Sequence, residues 1–326
     1  MTAADDARFS RQLEFLRHLI RVPSENPPGD MTAFAEAAAT ALQELGLDPE
    51  WHPVPEPFVR QAGMRSVVNL IVRRRFGDSG PVVALNAHGD VIPAGEGWSV
   101  DPFGAEEAGG ALYGRGTVFC KSDISAYVFA LLALIEAPEA LNGTVELHIT
   151  CDEEAGGTLG PRWLLGQDLT KPDLVIACYG INCGIYMPLD EERFAKYKEG
   201  VQRLKNKVEA QGGKIIFMPP PVYDKPNPKF DYDDVMAAYA KWLVSKRKDD
   251  WMVIDLHTVM KKSLAKKREK DPKFKYSRDG VHPGGEGHEL MARQIIDFFA
   301  GKPALKDPHP NAYGRMMMFL RERMRV

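Results

Sequence analysis

Two groups of residues in this chain have types and spacings that could do chemistry. The first is His88-Gly89-Asp90 together with Asp152-Glu153-Glu154. In an extended chain, residues i and i+2 point to the same side. His88 and Asp90 therefore share a face at the end of the apolar run 81–87. A metal-binding histidine commonly donates its second ring N–H to a carboxylate, and this spacing supplies one. Alone, the tripeptide equally describes a structural histidine satisfied by its neighbour. Three consecutive carboxylates repel one another unless a cation is present or one is protonated. Residues 152–154 are thus either a solvated acidic loop or a ligand carboxylate beside a general base that activates water at a metal. The second group is Asp279-Gly-Val-His282 with Asn182. An Asp three residues before a His can hold one ring nitrogen while the other faces a nucleophile. As a bare spacing, Asp-x-x-His is common.

The elements that must position these residues alternate between strands and helices. Phe9, Leu13, Leu16 and Ile20 form a helical stripe over 7–21. Residues 21–29 read as a loop, and Thr32 is expected to cap a helix ending at Gly46. Strands are predicted at 67–74 and 81–87, joined through Gly77-Asp78-Ser79-Gly80 as a hairpin. A helix over 122–135 precedes a strand over 144–150 with Val145, Leu147 and Ile149 inward. Leu174 to Cys178 reads as a buried strand. Asn182 lies in the loop beyond its carboxyl end, where open α/β sheets carry their chemistry. Further helices are predicted from Asp190, at 233–247, 258–270 and 286–299, with strands at 214–218 and 251–256. A Pro-rich loop from Pro219 to Tyr232 is expected as a lip over the site.

Composition sets outer bounds. Apolar content of 44% and charged content of 27% describe a soluble globular chain. The longest apolar run, 127–135, is too short for the ~20 residues of a membrane span. The acidic start, Met-Thr-Ala-Ala-Asp-Asp, lacks a secretory apolar core, and a cytoplasmic location is expected. Cys120, Cys151, Cys178 and Cys183 show no ligand-type pairing and read as free thiols. Charge is uneven. Residues 1–178 hold 13 Lys and Arg against 25 Asp and Glu, whereas residues 179–326 hold 29 against 20. The first part favours Arg and the second favours Lys. The basic surplus falls on apparent helix faces, so solvated surface is expected rather than a nucleic-acid interface.

Residues 1 to about 178 resemble the zinc-dependent aminoacylase, carboxypeptidase G and succinyl-diaminopimelate desuccinylase family. The motifs that carry this are His88-Gly-Asp90, Gly97-Trp-Ser-x-Asp-Pro-Phe103, Tyr113-Gly-Arg-Gly116 and Asp152-Glu-Glu-x-Gly-Gly157. The resemblance implies His88 and Glu154 as metal ligands, Asp90 as the orienting partner of His88 and Glu153 as general base. It implies one or two zinc ions. The family's bridging Asp falls at Phe119 here, and Asp123, two residues beyond Lys121, is a candidate substitute; His282 is a candidate to complete the cation site. The further carboxylate expected after the 174–178 strand is replaced by Cys178-Tyr179. The family's inserted dimerisation domain has no counterpart, which favours a monomer.

Residues 173 to about 300 resemble the carboxyl-terminal part of the SGNH (GDSL-type) esterase family, through Gly180-Ile-Asn182-Cys and Asp279-Gly-Val-His282-Pro. That resemblance implies Asn182 as oxyanion donor, Asp279 as orienter and His282 as general base. The family's nucleophilic serine block precedes the matching region. The literal Gly77-Asp78-Ser79 reads as turn chemistry rather than a strand-to-helix elbow. Cys183, in place of the block's Asp, reads as packing.

The expected fold is a three-layer α/β/α sandwich with a mostly parallel, doubly wound sheet. Residues 1–178 would supply a metallopeptidase-like half and 179–326 an SGNH-like half continuing the same sheet, with the junction a chimeric splice. Three functions stay open: zinc-dependent hydrolysis of an acylated small molecule of the N-acyl amino acid type, a serine-type esterase, or two half-sites with little activity. Neither nucleic acid nor membrane is an expected partner.

Overall fold

A computed structural model describes residues 3–118, 120–137, 141–225 and 229–300. Phe119 and the tail beyond residue 300 lie outside the described residues. The chain divides into two units, Met1–Asp173 and Leu174–Val326. The strand 174–178 therefore groups with the second unit.

The first unit runs α1 (Ala3–Ile20), α2 (Thr32–Glu44), β1 (Pro49–Pro53), α3 (Glu56–Gln61), β2 (Val68–Phe76), β3 (Val82–His88), β4 (Glu106–Ala108), β5 (Ala111–Tyr113), α4 (Lys121–Ile135), β6 (Gly143–Thr150) and α5 (Pro161–Gly166). Its main sheet has the order β1-β2-β6-β3. The predicted hairpin between β2 and β3 does not form. Instead β6 lies between them, antiparallel to β2 and parallel to β3. Gly143, at φ +120, makes this possible. A Cβ there would come 2.6 Å from the Pro81 carbonyl oxygen, so the start of β6 can lie against the turn only as glycine. The sheet is mixed, with its parallel character confined to β3 and β6. Helix α4 packs on β3 and β6, α2 packs on β2, and α1 packs on both helices.

The alternation predicted for β6 is only half of the pattern. Leu147 and Ile149 are buried, but so are Glu146, His148 and Thr150. Glu146 accepts from His148 Nε2 at 2.9 Å and from Thr170 Oγ1 at 2.5 Å, and pairs with Arg73. Burial raises the pKa of Glu146, but these donors outweigh it and hold the carboxyl below its usual range. Thr32 does not cap α2. The cap position is Met31, and Ser66 Oγ accepts from the backbone N–H of Met31 at 2.8 Å and of Thr32 at 3.1 Å. A side chain more than thirty positions away thus satisfies the orphan donors.

The second unit runs β7 (Leu174–Cys178), α6 (Glu191–Ala210), β8 (Lys214–Met218), α7 (Tyr232–Ser245), β9 (Met252–Val253), α8 (Leu256–Arg268) and α9 (Gly285–Ala300). Its sheet is wholly parallel in the order β7-β8-β9. Alternate strand residues face opposite helical layers. Ile215, Phe217 and Val253 pack with Phe194, Tyr197 and Val201 of α6 and with Val235 and Tyr239 of α7. Ile216 and Met218 pack with Leu256, Met260 and Leu264 of α8, and α9 adds Leu290, Met291 and Ile295. This unit is a three-layer α/β/α arrangement as expected. Asp190 caps α6 by accepting from Arg193 N–H at 2.8 Å. The expectation that 174–178 is buried fails. Only Ala177 is buried there, and Ile176 is exposed, as suits an edge strand.

Candidate metal centre

The parallel ladder between β3 and β6 pairs His88 with Thr150, so both strands end at the same edge. His88-Gly89-Asp90 leaves β3 there, and a single 3₁₀ turn, Glu153–Ala155, follows β6. One ligand atom each from His88, Glu153 and Glu154 falls within 4.8 Å of the others, and no other such group is found among the described residues. His88 Nε2 is 3.9 Å from Glu153 Oε2.

Asp90 organises the centre. It is fully buried. Its carboxylate accepts from His88 Nδ1 at 3.2 Å, from Asn26 Nδ2 at 2.9 Å, and from the backbone N–H groups of Glu153 at 3.2 Å and Glu154 at 3.0 Å. One carboxylate therefore fixes the imidazole and the turn that carries both glutamates. Burial opposes the charge on Asp90, but the hydrogen bonds from His88 and Asn26 outweigh it and lower its pKa. Burial likewise opposes a charged His88, while Asp90 and Glu153 raise its pKa on balance. Burial, then the neighbouring Glu153, raises the pKa of Glu154. Nδ1 also lies 3.0 Å from the Asp90 carbonyl oxygen. With two acceptors around Nδ1, the neutral ring is expected to keep its proton there and leave the lone pair on Nε2.

The loop 21–29 is part of the centre. Ser24 Oγ donates to the Gly89 carbonyl at 2.6 Å, Val91 N–H donates to Ser24 O at 2.9 Å and Asn26 N–H to Val91 O at 2.8 Å. Asn26 was not a candidate on sequence, because nothing local ties it to residue 90. Gly89 is required for close approach, since a Cβ there would lie 1.9 Å from Phe34 Cε1. Gly89→Ala is expected to destabilise the fold by about 1–3 kcal/mol through overpacking, read by denaturant unfolding. An unchanged midpoint would contradict the packing described.

Asp123 sits in the first turn of α4, where its Oδ2 accepts from Cys120 N–H at 3.0 Å. It is not in the group formed by His88, Glu153 and Glu154. Lys121 is fully buried and its Nζ donates to the carbonyls of Leu19 and Val22, both at 2.9 Å. Burial pulls its pKa down to about 8.

The second polar group is built within its own unit. Asp279 Oδ2 bonds His282 Nδ1 at 2.7 Å. Asp279 Oδ1 accepts from Ser277 Oγ at 2.7 Å, Val281 N–H at 2.8 Å and His282 N–H at 2.9 Å. Both side chains are half-exposed. Slight burial opposes ionisation of Asp279, but these donors hold its carboxyl far below the ordinary range. The unfolded chain would then take up this proton before the folded one, so the stabilisation is present at neutral pH and fades as pH falls below the ordinary carboxylate value. The stability difference between wild type and Asp279→Asn is expected to shrink on acidification from pH 6 to about 3, near the ordinary Asp pKa and below. A difference that stayed constant would contradict the network. Tyr186 Oη donates to Asn182 Oδ1. The Tyr186 ring lies 5.9 Å from that of Tyr223, which adjoins Gly280. The Pro-rich loop is anchored here, because Asp224 accepts from Tyr276 N–H at 2.8 Å and pairs with Arg268. Residues 226–228 lie outside the described residues. All four cysteines are free. Cys178 and Cys183 are both exposed residues, but the Cys178 thiol lies 3.7 Å from the Pro219 carbonyl oxygen, and burial of the sulfur pushes its pKa up to about 12.

Comparison with known proteins bears on the first centre. The family model for Peptidase family M20/M25/M40 matches residues 84–245. The chain is similar to succinyl-diaminopimelate desuccinylase of Rhodospirillum centenum, 36% identical over 164 residues, which are 50% of this chain and 40% of that protein. It is similar to the Wolinella succinogenes enzyme of the same name, 46% identical over 99 residues, which are 30% of this chain and 26% of that protein. The chain thus spans less than half the length of these curated relatives. Among solved structures, human carnosine dipeptidase 1 has a TM-score of 0.41 at 20% identity, over 68% of this chain and 41% of that one. A catalytic mutant of an acetylxylan esterase from Geobacillus stearothermophilus has a TM-score of 0.40 at 20% identity, over 70% of this chain and 98% of that one. The segment matched by the family model includes His88, Asp90, Glu153 and Glu154. No helix among the described residues is long and apolar enough to cross a membrane.

Proposed function

We propose that the centre at His88, Glu153 and Glu154 binds a divalent cation, zinc in this reading, and hydrolyses an amide bond of a small acylated substrate of the N-acyl amino acid type. The observation that carries the reading is the convergence of one imidazole nitrogen and two carboxylates on a point where Asp90 already holds the other imidazole nitrogen. Nitrogen and oxygen donors of this kind suit zinc. Held by His88 and Glu154, such a cation would supply Lewis-acid polarisation of the acyl carbonyl and of water.

The chain's own residues supply the rest. Asp90 keeps His88 in the Nδ1–H tautomer, so Nε2 faces the cation. Glu154, the more buried glutamate, serves as ligand. Glu153, largely exposed, takes the proton from the attacking water and returns it to the leaving amine. Asp123 would add a further ligand only through its other carboxylate oxygen, or by giving up the Cys120 N–H that its Oδ2 accepts. Hydrolysis of N-acyl amino acids is expected to be abolished by a chelator and restored by zinc. Glu153→Gln should lower kcat by about 10²–10⁴-fold, the usual contribution of a general base, with zinc still bound. Chelator-insensitive turnover would refute the metal reading.

The Asp279–His282 bond favours a second reading, an SGNH-type esterase with Asn182 as oxyanion donor. It requires a nucleophilic serine, and labelling by a fluorophosphonate probe with turnover of p-nitrophenyl acetate is its test. Absence of both activities would leave a chimeric chain of two half-sites. A monomer in the cytoplasm, without nucleic-acid or membrane partners, belongs to the same proposal.

A further inference from the structure

A cavity of about 490 Å³ lies between α3 and the segment 158–167 of the first unit. Its walls include Phe58, Gln61, Thr158, Arg162, Trp163 and Gln167, none of which belongs to the metal centre. The volume is in the range of small-molecule sites, about 300–1,000 Å³. The Phe58 and Trp163 rings meet at 5.0 Å with a 59° tilt and form an apolar wall. Phe58 remains 47% exposed, although rings of this size are normally covered.

The charged group at this wall is Arg162. Its guanidinium makes no hydrogen bond or ion pair with a described residue. Glu56 pairs with Arg60 at 2.8 Å and Asp168 with Lys171 at 3.2 Å, so neither carboxylate is paired with Arg162. A guanidinium beside an aromatic wall matches a carboxylate on an apolar body, because its planar fork takes both carboxylate oxygens. Gln61 and Gln167 also line the cavity. One wall is pre-formed. Leu159 N–H donates to Asp152 Oδ2, and Leu159 O accepts from Asn69 Nδ2 at 2.8 Å. Such fixing reduces the ordering cost of binding.

We propose that this cavity is a binding site for a small carboxylate with an aromatic or other flat apolar body, held by Arg162 and the Phe58–Trp163 wall. The test is titration calorimetry of the full chain with 2-naphthoate and with its neutral amide, 2-naphthamide. Wild type is expected to bind 2-naphthoate saturably. Arg162→Gln, a surface change, should weaken 2-naphthoate at least tenfold and leave 2-naphthamide unaffected. Trp163→Ala should weaken both, with circular dichroism confirming the fold. No binding to wild type, or equal 2-naphthoate affinity in Arg162→Gln, overturns the site. Binding abolished by His88→Ala and unchanged in Arg162→Gln would place the carboxylate on the metal centre and overturn it as well.

Discussion

Replacing Asp90 with alanine is expected to lower the unfolding free energy by about 3–5 kcal/mol, the cost of breaking a buried charged network. Four donors converge on this carboxylate: Asn26 Nδ2, His88 Nδ1 and the N–H groups of Glu153 and Glu154. Each buried donor left without an acceptor costs about 1–3 kcal/mol. The total falls below the sum, because His88 and the turn are only partly buried and water can reach them. Asn26→Ala removes one donor and leaves three on Asp90, so it should cost only about 1–2 kcal/mol. Urea unfolding of both variants measures this. A loss of less than about 1 kcal/mol for Asp90→Ala, no more than one ordinary hydrogen bond, would show that Asp90 does not hold the two strand ends together.

Replacing His88 with alanine is expected to remove zinc binding from the chain. It deletes the only nitrogen donor of the trio and leaves two carboxylates, one of them exposed. Loss of an orienting partner alone typically costs about 10–100-fold in metal affinity. Asp90→Asn should fall in that range, because the new amide turns a donor toward donors. His88→Ala should exceed it. Competition titration with a zinc chelator separates these outcomes. Affinities within threefold of one another for wild type and His88→Ala would remove His88 from the site.

The strands and motifs of this centre were legible in the sequence, because they depend on local signals. An apolar run ending in His-Gly-Asp and another ending in Asp-Glu-Glu can each be read alone. Their adjacency could not be read. It depends on β6 entering between β2 and β3, a pairing decided by burial across the whole sheet and by Gly143 at one turn. The Gly-Asp-Ser-Gly turn has the residues of a hairpin, but the closeness of two strands in sequence does not fix their pairing. Asn26 and Ser66 carry no local signal for a related reason: each serves a partner more than thirty residues away. Asp123 matched a ligand by position, but the start of α4 also needs a cap, and the carboxylate accepts the Cys120 N–H. In the second unit the Asp279–His282 bond followed directly from spacing. The contact between Asn182 and Tyr186 did not, since it depends on a turn in which Ile185 and Tyr186 both adopt left-handed backbone.

The measurement that tests the central claim most directly is an anomalous difference map from crystals of the full chain soaked in zinc. A peak is expected about 2.0–2.1 Å from His88 Nε2, the usual zinc–nitrogen distance, with Glu153 or Glu154 oxygens beside it and His88 Nδ1 still on Asp90. A peak on Nδ1, a peak only at Asp279 and His282, or a fully ordered centre without zinc would contradict it.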